Sequence, residues 1–384
     1  MKILLSLSIS IISIIHWMTG FQIDSNRAML GYLFAFVGVL TIPIGCMFFV
    51  VIQHLTRAGW SVLVRRMAEF AMAAIPLFGI LFIPIIAIKS NVFPWMNLDH
   101  LDRALIKKLP YLNINFFTIR AYFYFAIWTW ISIWFYKTSI KQDEPERFDF
   151  VNKKNKWAFD LTEKMSSWSP VSMIFLAITT TFASFDWLMS LQPHWCSTVF
   201  GIYFFAGCFL AAVAFNGLML VKSSVPVNAE HYQDLGKFIF GFTVFWAYIS
   251  FSQLMLYWYS NIPEETEFYI RRLQNGWEYV SYSLICTNFF LPFFIFMSKH
   301  VKRNIVAFSF TCIWILLTHF IDIYWLIVPT TDKINWFSFI IYDISALIGI
   351  LFLYISVILI IMRNKSHYPK GDPRLGESLR FENY

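Results

Sequence analysis

Ten apolar stretches, near residues 3–20, 28–55, 65–89, 114–136, 170–191, 196–222, 236–260, 276–297, 304–329 and 336–362, account for most of this chain. Each approaches or exceeds the roughly 20 residues that a helix needs to cross a hydrocarbon core of about 30 Å. In lipid the backbone must satisfy its own N–H and C=O groups, so this pattern predicts an all-α integral membrane protein. We expect about ten transmembrane helices in one polytopic domain, 1–384, with a short tail at 363–384. A charged fraction of 14% agrees, since soluble domains carry roughly 25%. The first stretch follows Lys2 and is short, so Leu4 to Ile15 also fits a signal peptide. Its removal would leave nine spans in the same orientation.

Charge decides the orientation. Of the 30 Lys and Arg, 21 fall on the side of the termini and 8 on the opposite side, with Arg120 inside the fourth span. The positive-inside rule then puts both termini in the cytoplasm, in a bacterial inner membrane. The net charge of +7 would otherwise suggest nucleic acid, but the basic residues are spread over several loops and form no single patch. Membrane lipid is the expected partner, not nucleic acid.

The five cysteines, Cys46, Cys196, Cys208, Cys286 and Cys312, form no CxxC, CxxCH or metal-ligand spacing, so no cofactor or metal is expected on this chain. Pro43, Pro76, Pro84 and Pro292 fall within spans, where proline bends helices and frees carbonyls, either to line a cavity or simply as packing kinks.

Ionisable side chains within spans are costly and are functional candidates by default. One group, His54, Arg65, Arg66 and Glu69, lies toward the cytoplasmic side; Arg65 and Glu69 share a helix face. Snorkelling and a surface ion pair are the alternative for these. A second group, Arg120, Asp186, His319, Asp322 and Asp343, comes from four spans on the periplasmic side. The three aspartates are expected on the order of 7–11 Å inside their helix ends. Thr179, Ala183, Asp186 and Ser190 would make one small polar face, suited to a wet interior. These groups either exchange protons or form a static Arg–Asp lock. Between them something like 15 Å of core lacks ionisable residues. Thr179 to Thr181, Ser250, Ser252, Gln253 and Tyr282 would hold waters there, or act as packing glue.

Several strings then look familiar: His54-Leu55-Thr56-Arg57-Ala58-Gly59-Trp60, Arg65-Arg66-Met67-Ala68-Glu69, Phe185 through Trp195, Asp234-Leu235-Gly236-Lys237, and Tyr257 through Thr266. From about residue 28 to the tenth span the chain resembles the F subunit of bacterial alternative complex III. The resemblance implies a quinol:cytochrome c or quinol:acceptor oxidoreductase of the respiratory chain, with haem c subunits and a large iron–sulfur subunit as partners. It also implies likeness to the C-type membrane subunit and to polysulfide-reductase membrane anchors, a core of two four-helix bundles, and a role in proton translocation. A terminal oxidase is a further candidate partner, and quinol a candidate substrate.

Four readings stay open. In the first the chain is a cofactor-free subunit that contributes a proton pathway and scaffolding during quinol oxidation and electron transport. In the second an aromatic cleft holds quinol, with His319 and Asp322 taking its protons. The third is a secondary transporter, and the fourth a purely structural subunit.

Overall fold

The computed structural model describes residues 1–88, 92–96, 103–144, 156–330 and 336–382, and all their regular structure is helical. Ten helical segments are long and apolar enough to cross a membrane. In chain order, α1 (Lys2–Ile23) and α2 (Ser25–Leu55) are followed by α3 (Val62–Met72), α4 (Ile75–Leu81) and α5 (Ile83–Ala87). Next come α6 (Arg103–Lys108), α7 (Ile114–Lys141), α8 (Lys156–Trp187), α9 (Phe200–Val221) and α10 (Ala229–Ser260). The remaining helices are α11 (Pro263–Arg271), α12 (Trp277–Leu284), α13 (Leu291–Met297), α14 (Lys299–Arg303), α15 (Ile305–Ile327), α16 (Trp336–Met362) and α17 (Leu375–Leu379).

The third span, read as one stretch at 65–89, is three helices; residue 89 lies outside the described residues. Pro76 and Pro84 stand in the first turns of α4 and α5, where a missing N–H costs nothing. Pro43 lies inside an unbroken α2, and Pro170 inside an unbroken α8. Pro292 opens α13 just after a π-helical turn at Ile285–Phe290. Wider turns of this kind leave carbonyls available, and the Thr287 carbonyl accepts from Trp314 Nε1 at 2.8 Å.

The helix α2 is buried from Arg27 to Val51 without interruption, as expected of a helix that is apolar on every face. It packs against α3, α8, α9, α15 and α16. The approach to α9 is close enough that a Cβ on Gly45 would lie 2.0 Å from the Cys208 carbonyl oxygen, so only glycine fits there. α7 packs on α8 and α4; α10 packs on α9 and α13; α12 packs on α15. α1 runs along α16, where Ser6 and Ser10 donate to the Phe352 and Gly349 carbonyls, each at 2.8 Å.

The tail and the turns after α2, α7 and α9 meet at one end. Ser378 Oγ donates to the Trp60 carbonyl at 2.6 Å, Gly371 N to Asp143 Oδ1 at 3.1 Å, and Asn228 Nδ2 to the Phe381 carbonyl at 2.7 Å. In the turn after α2, Arg57 adopts a left-handed conformation with φ 52°, and its carbonyl accepts from the Arg374 guanidinium. The tail is therefore a strap across this end of the helices.

Candidate functional site

At the tail end, α3 carries Arg65, Arg66 and Glu69 on buried positions. Arg65 Nε donates to Glu69 Oε1 at 3.0 Å and its Nη2 to Asp372 Oδ2 at 2.7 Å. Arg66 Nη1 donates to Asp143 Oδ2 at 2.8 Å and its Nη2 to the Ser139 carbonyl at 3.1 Å. Arg66 Nε also comes within 3.0 Å of Glu69 Oε2, but out of line, so this contact is ionic and not a hydrogen bond. The surface ion pair entertained for Arg65 and Glu69 is thus a buried network with two further carboxylates. Burial of such charges is costly unless they are paired or hydrogen-bonded, and here each guanidinium has two carboxylate neighbours.

His54, at the end of α2, is buried against Phe135, and its Nε2 has no hydrogen-bond partner. It lines a cavity of about 10 Å³ with Arg65, Arg57, Glu163 and Asp372, enough for about one water. Arg57 and Glu163, paired at 3.0 Å and exposed, close the outer side of that cavity.

The second group is not one cluster. Arg120 grips Asp186 with a fork of two 2.8 Å bonds from Nε and Nη2, and Tyr124 Oη adds a third at 2.8 Å. Asp343 pairs with Arg27 of α2, not with Arg120: Nη1 donates to Oδ1 at 2.9 Å, Nη2 to Oδ2, and Tyr324 Oη to Oδ2 at 2.9 Å. A Cβ on Gly31 would meet Asp343 Oδ1 at 2.0 Å, so glycine makes room for that carboxylate.

Asp322 is different. It accepts from Tyr203 Oη and from Trp246 Nε1, the latter at 3.2 Å, and has no cationic partner among the described residues. Its neighbour on the same face, His319, lies 2.8 Å from Thr41 Oγ1 through Nε2. Thr41 spends its hydroxyl proton on the Gly38 carbonyl at 2.6 Å, which leaves the oxygen to accept from His319 Nε2. The other ring nitrogen, Nδ1, faces Gly207 and is left as the proton acceptor.

The depth expected of Asp186 holds, and the wet interior expected beside it does not. Asp186 stands one residue before the end of α8 but five before Leu191, where the span closes, about 7.5 Å inside that end as expected, and Arg120, Tyr124 and Ser190 cover it. The face of Thr179, Ala183, Asp186 and Ser190 is packed against protein, with Thr179 accepting from Trp128 Nε1 at 2.9 Å. Tyr282 is exposed on the outside, and Ser252 donates to the Tyr248 carbonyl of its own helix. Inside the gap α9 supplies Asn216, buried with neither side-chain polar atom partnered. From Asn216 to Gly207, beneath His319, is nine residues of helix, about 14 Å of rise. The sequence reading missed Asn216, Arg27, Asp143, Asp372, Tyr203 and Trp246.

Arg272, between α11 and α12, is also fully buried and has no carboxylate partner among the described residues. It donates to the Phe268, Trp325 and Leu326 carbonyls at 2.7, 3.0 and 2.8 Å, and lies over the Phe268 ring at 3.5 Å. Burial lowers its pKa to about 9, still above neutrality, so the cation holds the carbonyl end of α15. Among the described residues no group of three His, Cys, Asp or Glu is placed to hold a metal ion.

Fold and site together define a multi-span helical membrane protein with buried ionic groups at both ends of its helices. No protein-family model matches the chain, and no curated protein matches it.

Proposed function

We infer that this chain is an integral, cofactor-free subunit of a respiratory quinol:acceptor oxidoreductase of the alternative complex III type, in a bacterial inner membrane. In this reading its termini are cytoplasmic, and the helices α2 to α8 and α9 to α15 form two four-span groups joined along α2 and α9. Haem c and iron–sulfur centres belong to its partners. The sequence strings given above support the family, and the contacts α2·α3, α2·α8, α9·α10 and α9·α15 support the grouping.

Its part is to carry protons. The observation that bears most on this is Asp322, the deep carboxylate with no fixed cation to compete with a proton, one helical turn from the open nitrogen of His319. At the other end, His54 faces a one-water cavity behind the Arg57–Glu163 pair. Arg65, Arg66 and Glu69 hold that end together, while Arg120–Asp186 and Arg27–Asp343 brace the helices around the other. From Thr41, beside His319, to His54 is thirteen residues of α2, about 20 Å of packed interior between the two ends, so transfer across it requires a conformational step. Moving a charge against 100 mV costs about 2.3 kcal/mol, which redox chemistry in a partner would supply.

A specific observation favours a second reading, a quinol site. An aromatic cleft of about 680 Å³ is lined by Trp60, Phe205, Phe238, Phe242 and Phe245, with Asp234 and Lys237 at its rim. His319 and Asp322 are not part of it. Membership is tested by purifying the affinity-tagged chain from its host in mild detergent. Haem c and iron–sulfur subunits that co-elute with quinol:acceptor activity support the assignment; elution alone, with that activity left in other fractions, defeats it.

A further inference from the structure

A cavity larger than the aromatic cleft lies outside all of these groups. It is a groove of about 1090 Å³ between α1 and α16 on one side and α9 and α15 on the other, with Ile42 of α2 in its floor. Phe215, Phe320, Leu351 and Ile355 make its walls apolar. Its mouth, at the tail end, is formed by Lys2, Lys222, Arg363, Lys365 and His367, and no acidic side chain among the described residues lines it. None of the Lys and Arg side chains at the mouth pairs with a carboxylate among the described residues.

We propose that this groove holds one anionic phospholipid, its headgroup phosphate among Lys222, Arg363 and Lys365 and its acyl chains along Phe215, Phe320 and Ile355. Two independent features select that occupant. The first is length: from Leu351 to Met362 the wall along α16 rises about 16 Å, one leaflet of a core of about 30 Å. The second is charge. Unpaired cations at the end of an apolar groove between helices attract an anionic headgroup at the membrane surface and give no preference to a zwitterionic lipid or a neutral quinone. The lipid would complete the packing between α9 and the pair of α1 and α16, which meet each other closely but leave this gap.

The test uses the purified chain in its native assembly, stripped of lipid in neutral detergent and titrated with phosphatidylglycerol or phosphatidylcholine. Bound lipid is counted by native mass spectrometry. We expect one phosphatidylglycerol retained at least about tenfold more tightly than phosphatidylcholine. The preference is expected to vanish in the triple variant Lys222→Gln, Arg363→Gln, Lys365→Gln, whose side chains are exposed and unpaired. A second variant, Ile355→Trp, fills the groove without touching the cations and is expected to abolish retention. Equal retention of the two lipids, or of phosphatidylglycerol by wild type and the triple variant, overturns the proposal. So does retention that survives Ile355→Trp, which would place the phosphate on surface cations alone.

Discussion

Arg27 and Asp343 lie 316 positions apart in the chain and form a buried two-pronged ion pair that joins α2 to α16, with Tyr324 of α15 donating to the same carboxylate. Three helices are thereby fixed at one depth, and the pair has no water to fall back on.

Removing one partner of such a pair leaves an uncompensated charge. Arg27→Met is expected to cost about 3–5 kcal/mol. The double variant Arg27→Met, Asp343→Leu should recover most of that loss, since an apolar pair of similar volume replaces both charges. Unfolding of the two variants in detergent, followed by circular dichroism, measures the difference.

The tail strap makes a second case. Asp372 gives Arg65 its carboxylate at 2.7 Å, so Asp372→Asn keeps the shape and removes the charge. A cost of about 1.5–3 kcal/mol is expected, as for a hydrogen bond between charged groups. Proteolysis of the tail after residue 362 should become faster by the corresponding factor, which limited trypsin digestion reads directly.

Arg272 gives a pH dependence of known sign. Its folded pKa, about 9, lies below the ordinary 12.5, so the unfolded chain binds this proton more tightly. The folded state therefore bears the burial cost below pH 9, and the cost fades as pH rises from 9 toward 12.5. Stability should gain with pH above 9 in wild type relative to Arg272→Met, which lacks the group. A difference that stays constant between pH 8 and 10.5 in paired melting curves would refute this.

His54 is expected to matter for proton entry and not for packing, because its Nε2 bonds to nothing in the protein. His54→Phe should fold normally, since the ring already packs against Phe135, and should slow proton uptake at the tail end at least about tenfold. A pH-sensitive dye on that side of oriented vesicles follows the uptake.

The ten spans were legible because lipid imposes one rule on length and polarity, and the apolar runs meet it in each case. The depth of Arg27 and the pairing of the charges were not legible. Arg27 falls one residue before the second span as read from hydropathy, so it counted as a loop cation, whereas α2 begins at Ser25 and carries it inside. Asp372 lies in a polar tail with no periodicity to mark it, and only its fold back onto α3 makes it a partner of Arg65. Arg120 and Asp186 were placed in one group from sequence and do pair. Asp343 was placed with them and pairs elsewhere, since spacing within one helix says nothing about which other helix lies opposite. The break of the third span at Pro76 and Pro84 follows from local chemistry, yet the same residue type leaves α2 and α8 unbroken at Pro43 and Pro170.

The proton-carrying role rests most heavily on Asp322, and the ratio of protons translocated to electrons transferred tests it most directly. The purified assembly in proteoliposomes, driven by quinol with a soluble acceptor, is compared with its Asp322→Asn variant, in which Tyr203 and Trp246 keep an acceptor. Electron transfer is expected to persist while the ratio falls to half or less. An unchanged ratio with unchanged electron transfer would contradict the role and leave Asp322 a structural acceptor for Tyr203 and Trp246.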